Sequence, residues 1–151
     1  MGVFMSRKGF SLIEMITVLV LIGIIAAIGL PRLRDALEQQ NVRSAKALIA
    51  TMVATARGAA IQRGCAATLN MTVDSAWVTA CGVNPPAANV QVGTKKLIGD
   101  DFGVKLGPSA ATIVYDPRGI ATVFQTTTVQ VIGPHNQDSV VVNQVGKVIK
   151  Q

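Results

Sequence analysis

Arg7 to Pro31 reads RKGFSLIEMITVLVLIGIIAAIGLP, and the fold turns on how this stretch is taken. From Phe10 to Leu30 it holds 21 residues, of which Glu14 alone is charged. A helix of that length covers roughly 30 Å, the thickness of a bilayer's hydrocarbon core. Arg7 and Lys8 stand just before it, a charge bias that keeps the short N-terminus cytoplasmic and sends the remainder across the membrane. A carboxylate at the centre of such a helix costs about 2.5–3.5 kcal/mol, and less near its end. Glu14 lies near the end, so insertion survives it. Its presence still needs a reason.

The reason lies in its neighbours, Lys8-Gly9-Phe10-Ser11-Leu12-Ile13-Glu14. This segment resembles the class III signal of type IV pilins and pseudopilins. The resemblance implies cleavage between Gly9 and Phe10 by a prepilin peptidase, N-methylation of Phe10 and retention of the apolar segment, unlike an ordinary secretory signal. Cleavage creates a positive amine at Phe10. Glu14 is one helical turn further on the same face, where it can meet the amine of its own chain or of a neighbour in a filament. Pairing offsets the desolvation of both charges, and a mismatched stagger leaves both unpaired. Glu14 thus reads as an assembly residue.

Beyond the span, Leu33, Leu37, Ala45, Leu48, Met52, Ala56 and Ala59 recur at helical spacings. They predict that residues 32–63 continue the helix, with a kink or local melting at Gly29-Leu30-Pro31 and a stop at Gly64. The texture then changes to Val, Thr, Asn, Gly and Pro. Expected strands are Ala66–Val73, Ala76–Ala80, Ile113–Tyr115, Ala121–Thr126, Ser139–Asn143 and Lys147–Lys150, with Thr128–Ile132 extending or following the fourth. Asp74-Ser75, Asn84-Pro85-Pro86 and Asp116-Pro117-Arg118-Gly119 read as turns. Residues 82–112 show no clean period and are expected to form a long loop with one short strand near Lys96–Ile98. The predicted class is α+β: a long N-terminal transmembrane and amphipathic α-helix packed on an antiparallel β-sheet head. The expected organisation is a cleaved leader at 1–9, a transmembrane and filament-core helix at 10–30, an amphipathic helix at 31–63 and a β-rich head at 64–151.

Three later segments sharpen the resemblance. Ala56-Arg57-Gly58-Ala59-Ala60-Ile61-Gln62-Arg63 is similar to the pattern before the first strand in the GspH/FimT group of minor pilins and pseudopilins. Ile113-Val114-Tyr115-Asp116-Pro117-Arg118-Gly119 resembles that group's strand-turn segment, and residues 140–148 resemble its last hairpin. The resemblance implies a subunit of a type IV pilus-like filament, including filaments of DNA uptake. The alternative is a pseudopilin of a type II secretion system supporting protein export. It also implies partners, namely the prepilin peptidase, other pilin or pseudopilin subunits and the inner membrane, with the head in the periplasm.

DNA is the further candidate partner. The chain carries a net charge of +6, a mild excess compatible with an anion. DNA-binding members of the group have a Gly-Arg-x-Arg motif near the C-terminus. Here Gly146-Lys147-Val148-Ile149-Lys150 stands in that place, with Lys147 matching in charge and Lys150 displaced by one. Lys95 and Lys96, with Lys105, are the other candidates. Lysine lacks the planar fork that grips a phosphate twice, and one Trp with one Tyr makes a poor base-stacking platform. A solvated surface is the favoured account of these lysines.

Cys65 and Cys81 are the only cysteines. If Val73 faces Ala76 in the first hairpin, Thr68 faces Cys81 and Cys65 lies three residues further on. A bulge or an altered turn joins the two as a disulfide, which an oxidising compartment permits; the alternative is two buried thiols. Nothing supports catalysis. His135, the only histidine, sits in a Gly-Pro-His-Asn loop, and no ligand spacing for a metal is present. Asp100-Asp101 lacks the alternating oxygens of a calcium loop. Trp77 reads as a core residue and Arg118 as an exposed turn tip. No cofactor and no enzymatic activity are expected.

Overall fold

The structure is a computed structural model that describes residues 10–82, 89–122, 125–143 and 145–149. The leader at 1–9, with Gly9, the turn signal Asn84-Pro85-Pro86, and Lys150 lie outside the described residues. The chain divides into two compact units between Ala36 and Leu37.

Helix α1 runs from Leu12 to Arg63. Its first turn forms where the Ser11 carbonyl accepts the main-chain N–H groups of Glu14 and Met15 at 3.1 and 3.2 Å. Glu14 in this turn suits the positive end of the helix dipole. The helix is unbroken through Pro31, so the expected melting there does not occur. Proline removes a single donor, and the leucines and arginines on either side are good helix formers. The N-terminal unit exposes its large apolar side chains throughout, Ile13, Leu21 and Ile25 among them. By length and composition the helix is apolar enough to cross a membrane.

The head begins at Leu37 and has its own core. The buried stripe of α1 is Val42, Ala45, Ile49, Met52, Val53, Ala56, Ala59 and Ala60. Leu33 and Leu37, read from sequence as part of that stripe, are exposed. Small alanines let the helix sit close to the strands behind it. The helix stops at Gly64, whose φ of 63° a Cβ would disfavour. Cys65 N–H then closes back to the Ala60 carbonyl at 3.3 Å, the bond of a Schellman turn.

Two antiparallel sheets follow. One has the order β3-β2-β1-β5 and the other β4-β6-β7-β8. Their strands are β1 (Ala67–Met71), β2 (Ser75–Cys81), β3 (Asn89–Leu97), β4 (Lys105–Pro108), β5 (Thr112–Tyr115), β6 (Thr127–Ile132), β7 (Gln137–Val142) and β8 (Val148–Ile149), with a short helix α2 (Ile98–Phe102) between β3 and β4. Alternation sets the inward faces: Ala67, Leu69 and Met71 on β1, Val78 and Ala80 on β2, Val129 and Val131 on β6, Val140 and Val142 on β7.

Four sequence expectations need correction. Residues 89–112 are not a loop but β3, α2, β4 and the start of β5. β3 is exposed at almost every position, so no half-buried alternation marks it. Ala121–Thr126 is not a strand among its described residues; Ala121 only bridges Tyr115, because the tight turn at Asp116–Gly119 brings the chain back for a single pairing. Trp77 is not in the core, since it alternates out of register with Ala76 and Val78 and lies half-buried on the outer face. The first hairpin also turns one residue earlier than expected. Thr72 N–H bonds the Ser75 carbonyl at 2.8 Å and the Thr72 hydroxyl meets that of Ser75 at 2.8 Å, so Val73 and Asp74 form the turn. Met71 therefore pairs with Ala76 and Thr68 with Thr79.

Tyr115 closes the head. It is fully buried, and its hydroxyl donates to the Gly146 carbonyl at 3.1 Å in the β7–β8 turn. Burial pushes its hydroxyl pKa up to about 12, against a smaller downward pull from Arg57. The unfolded chain then releases this proton near its ordinary value while the folded chain holds it. The stability is fully present below about pH 10 and is lost as pH rises through the folded value. Melting of the full chain is expected to fall more steeply across this alkaline window than that of a Tyr115→Phe variant. Equal slopes would contradict the assignment.

Candidate assembly helix and contact surfaces

Phe10 and Glu14 stand together at the start of α1, with Phe10 77% exposed and Glu14 exposed as well. The Thr17 hydroxyl donates to the Glu14 main-chain carbonyl at 2.9 Å, a bond that does not engage the carboxylate. What the arrangement can do chemically is offer one anion, at the N-terminal end of an otherwise uncharged apolar rod, to a cation from outside.

Cys65 and Cys81 are bridged, with Cα atoms 6.3 Å apart. The earlier turn explains it. Ala67 faces Ala80, so the register carried one step outward sets Cys81 diagonally across from Cys65 without a bulge. Beside the bridge, Arg63 donates from Nη1 to the Cys81 carbonyl at 2.7 Å. The end of α1 and the end of β2 are thus tied twice.

The described candidate lysines are divided between the two sheets. Lys95 and Lys96 lie exposed on β3, the edge of the first sheet. Ala76 pairs with Lys96 and Val78 with Val92, so Gly93, Thr94 and Lys95 bulge opposite Trp77 alone. Gly93, at φ 74°, turns the bulge, and the Lys95 ammonium rests 4.7 Å from the centre of the Trp77 ring. Bulge and lysines together blunt an exposed edge against stray strand pairing. Lys147 is exposed in the β7–β8 turn of the other sheet. Its main-chain N–H bonds the Asn143 side-chain oxygen at 2.7 Å, and its ammonium is not part of any described ion pair.

A polar clamp on α1 escapes sequence reading. The Glu38 carboxylate accepts the main-chain N–H groups of His135 and Asn136, the latter at 2.9 Å, and meets His135 Nδ1 at 3.0 Å. Chiefly the His135 N–H, with help from the ring and Asn136, holds this carboxyl below the usual range against the opposing effect of burial. Two turns on, Lys46 pairs with Asp138 at 2.7 Å and lowers its pKa. The β6–β7 hairpin is thereby pinned to the helix at two points. The only available signal was Glu38 at a helical position beside a Gly-Pro-His-Asn turn 97 residues away. Asp116 similarly caps its own turn, accepting from Ile120 N–H and Arg118 N–H at 2.9 Å each. Arg118, as expected, is an exposed tip. Among the described residues no cluster of His, Cys, Asp and Glu is arranged to hold a metal.

Comparison with known proteins gives the family. The prokaryotic N-terminal methylation motif matches residues 4–30, and the profile of the type II transport protein GspH matches residues 46–146. No curated protein matches. Among solved structures, the type IV minor pilin FimU of Pseudomonas aeruginosa strain PAO1 superposes in two crystal forms. One gives a TM-score of 0.59 at 12% identity and covers 76% of this chain and 90% of that one. The other gives 0.56 at 13%, covering 72% and 91%. At such identities the likeness speaks for the fold. With that family profile over more than half its length, a methylation motif ahead of it and a fold shared with a minor pilin over about three quarters of the chain, the chain belongs to the family of the type II transport protein GspH.

Proposed function

We propose that this chain is a minor subunit of a type IV pilus-like filament. It is processed between Gly9 and Phe10, anchored in the inner membrane through residues 10–30 and held with its head in the periplasm until assembly. The supporting observation is the exposed Glu14 in the first turn of an apolar helix, next to a methylation motif that spans the cut. The amine released at Phe10 is the nearest cation, and in a bundle of parallel rods each Glu14 reaches one. The subunit acts by packing, and its chemistry is done to it by the peptidase and its methylating activity. Mass spectrometry of the chain purified from membranes is expected to show a mature N-terminus at methylated Phe10. A mature chain beginning beyond the apolar run would contradict the proposal.

The alternative machine is a type II secretion pseudopilus, which the name of the matching family favours and the solved structures do not. DNA uptake is a finer reading that the arrangement of charges does little to support. Lys95 is engaged with Trp77, Asp100 and Asp101 follow closely on Lys96, and Lys147 belongs to the other sheet. The proposal therefore rests on assembly and leaves nucleic acid out.

A further inference from the structure

One concave surface of the head has no part in the assembly account. A groove of about 290 Å³ separates α1 from β8. Ala47 and Ala50 form its helix wall, and Val140, Val148 and Ile149 form its sheet wall. Ile149 is 46% exposed, a large apolar side chain left in water beside small ones. At one end stand Lys46, neutralised by Asp138, and Arg43. Arg43 is exposed, and its charge also acts on Asp138. With Arg43 and Lys46 against the single carboxylate of Asp138, the groove combines apolar walls with a net positive charge at one end.

Among the described residues its sheet wall is also an open edge, since β8 pairs there only with β7. Asn143 N–H bonds the Lys147 carbonyl at 2.9 Å, and Val142 faces Val148. In an antiparallel ladder the bonded pair alternates with an unbonded one. The main-chain N–H and C=O of Val148 consequently point away from β7. An extended chain laid beside Val148 gains those bonds, as in strand addition.

We propose that this groove receives an extended acidic segment of another filament subunit. An apolar side chain of that segment seats over Ala47 and Ala50, and a carboxylate next to it meets Arg43. The identity of the partner as a fellow subunit rests on the filament reading. The binding chemistry does not, and it is measured apart from assembly.

The test uses the full chain in detergent micelles and a fluorescein-labelled peptide of alternating valine and glutamate, with empty micelles subtracted. Saturable binding is expected, and it should weaken roughly tenfold or more in Arg43→Glu, whose charge then repels the peptide. Ala50→Leu, which fills the groove, should abolish it. Arg43 is exposed, so its variant folds even if the leucine disturbs packing. Three results would overturn the proposal: no saturable binding, equal binding of a serine–glutamate peptide, or binding that both substitutions leave unchanged. Self-association of the chain that Ala50→Leu removes would also overturn it, since the occupant is then a second copy. Binding without filament incorporation would retain the groove and reject the filament reading instead.

Discussion

Cys65→Ser with Cys81→Ser is expected to lower the stability of the head by about 3 kcal/mol, the chain-entropy value for a loop of this size, and its melting temperature by roughly 10–20 °C. The bridge closes a separation of 16 residues and locks the end of α1 onto β2. Its loss frees the first hairpin in the unfolded state and loosens the Arg63–Cys81 contact in the folded one. Thermal melting followed by far-ultraviolet circular dichroism, oxidised against reduced, reads the effect directly. The serine pair should behave like the reduced native chain. A serine pair as stable as the oxidised chain would mean that the α1–β2 tie is held by the hydrogen bond alone.

The second large effect belongs to Gly146→Ala. At φ 78° a side chain costs about 1–2 kcal/mol in backbone strain. A Cβ built there also overlaps the Tyr115 ring. Tyr115 is fully buried and cannot retreat without breaking its bond to Gly146, so overpacking adds about 1–3 kcal/mol. Gly93→Ala is the matched control. It shares the left-handed backbone, at φ 74°, but has open space around it. Chemical denaturation should show Gly146→Ala losing clearly more stability than Gly93→Ala. Equal losses would remove the Tyr115 contact from the account and leave strain alone.

How much of this was legible beforehand depends on where each residue finds its partner. The N-terminal helix was legible because its signal is local: a long apolar run that carries a single acid. The strands facing the helix were legible for the same reason, since Leu69 and Met71, or Val129 and Val131, alternate with polar neighbours. β3 was not, because an edge strand exposed on both sides carries no alternation and its Gly93 bulge reads as a loop. Leu33 and Leu37 look like core at helical spacing, yet the buried stripe begins only at Val42. The Glu38 clamp was hidden by distance, because only the folded chain sets His135 and Asn136 against the helix. The cysteine bridge lay between these cases. Its two residues flank one hairpin, but a one-residue error in the turn put them out of register.

The account depends most on the anion at position 14 needing the cation that proteolysis makes. A Glu14→Gln variant keeps the shape and the insertion of the rod and removes only the charge. Expressed with its native companions and measured as the share of subunit recovered in sheared filaments against membranes, it is expected to be processed at Phe10 yet to stay almost wholly in the membrane. Filaments that contain the variant at the native level would contradict the account.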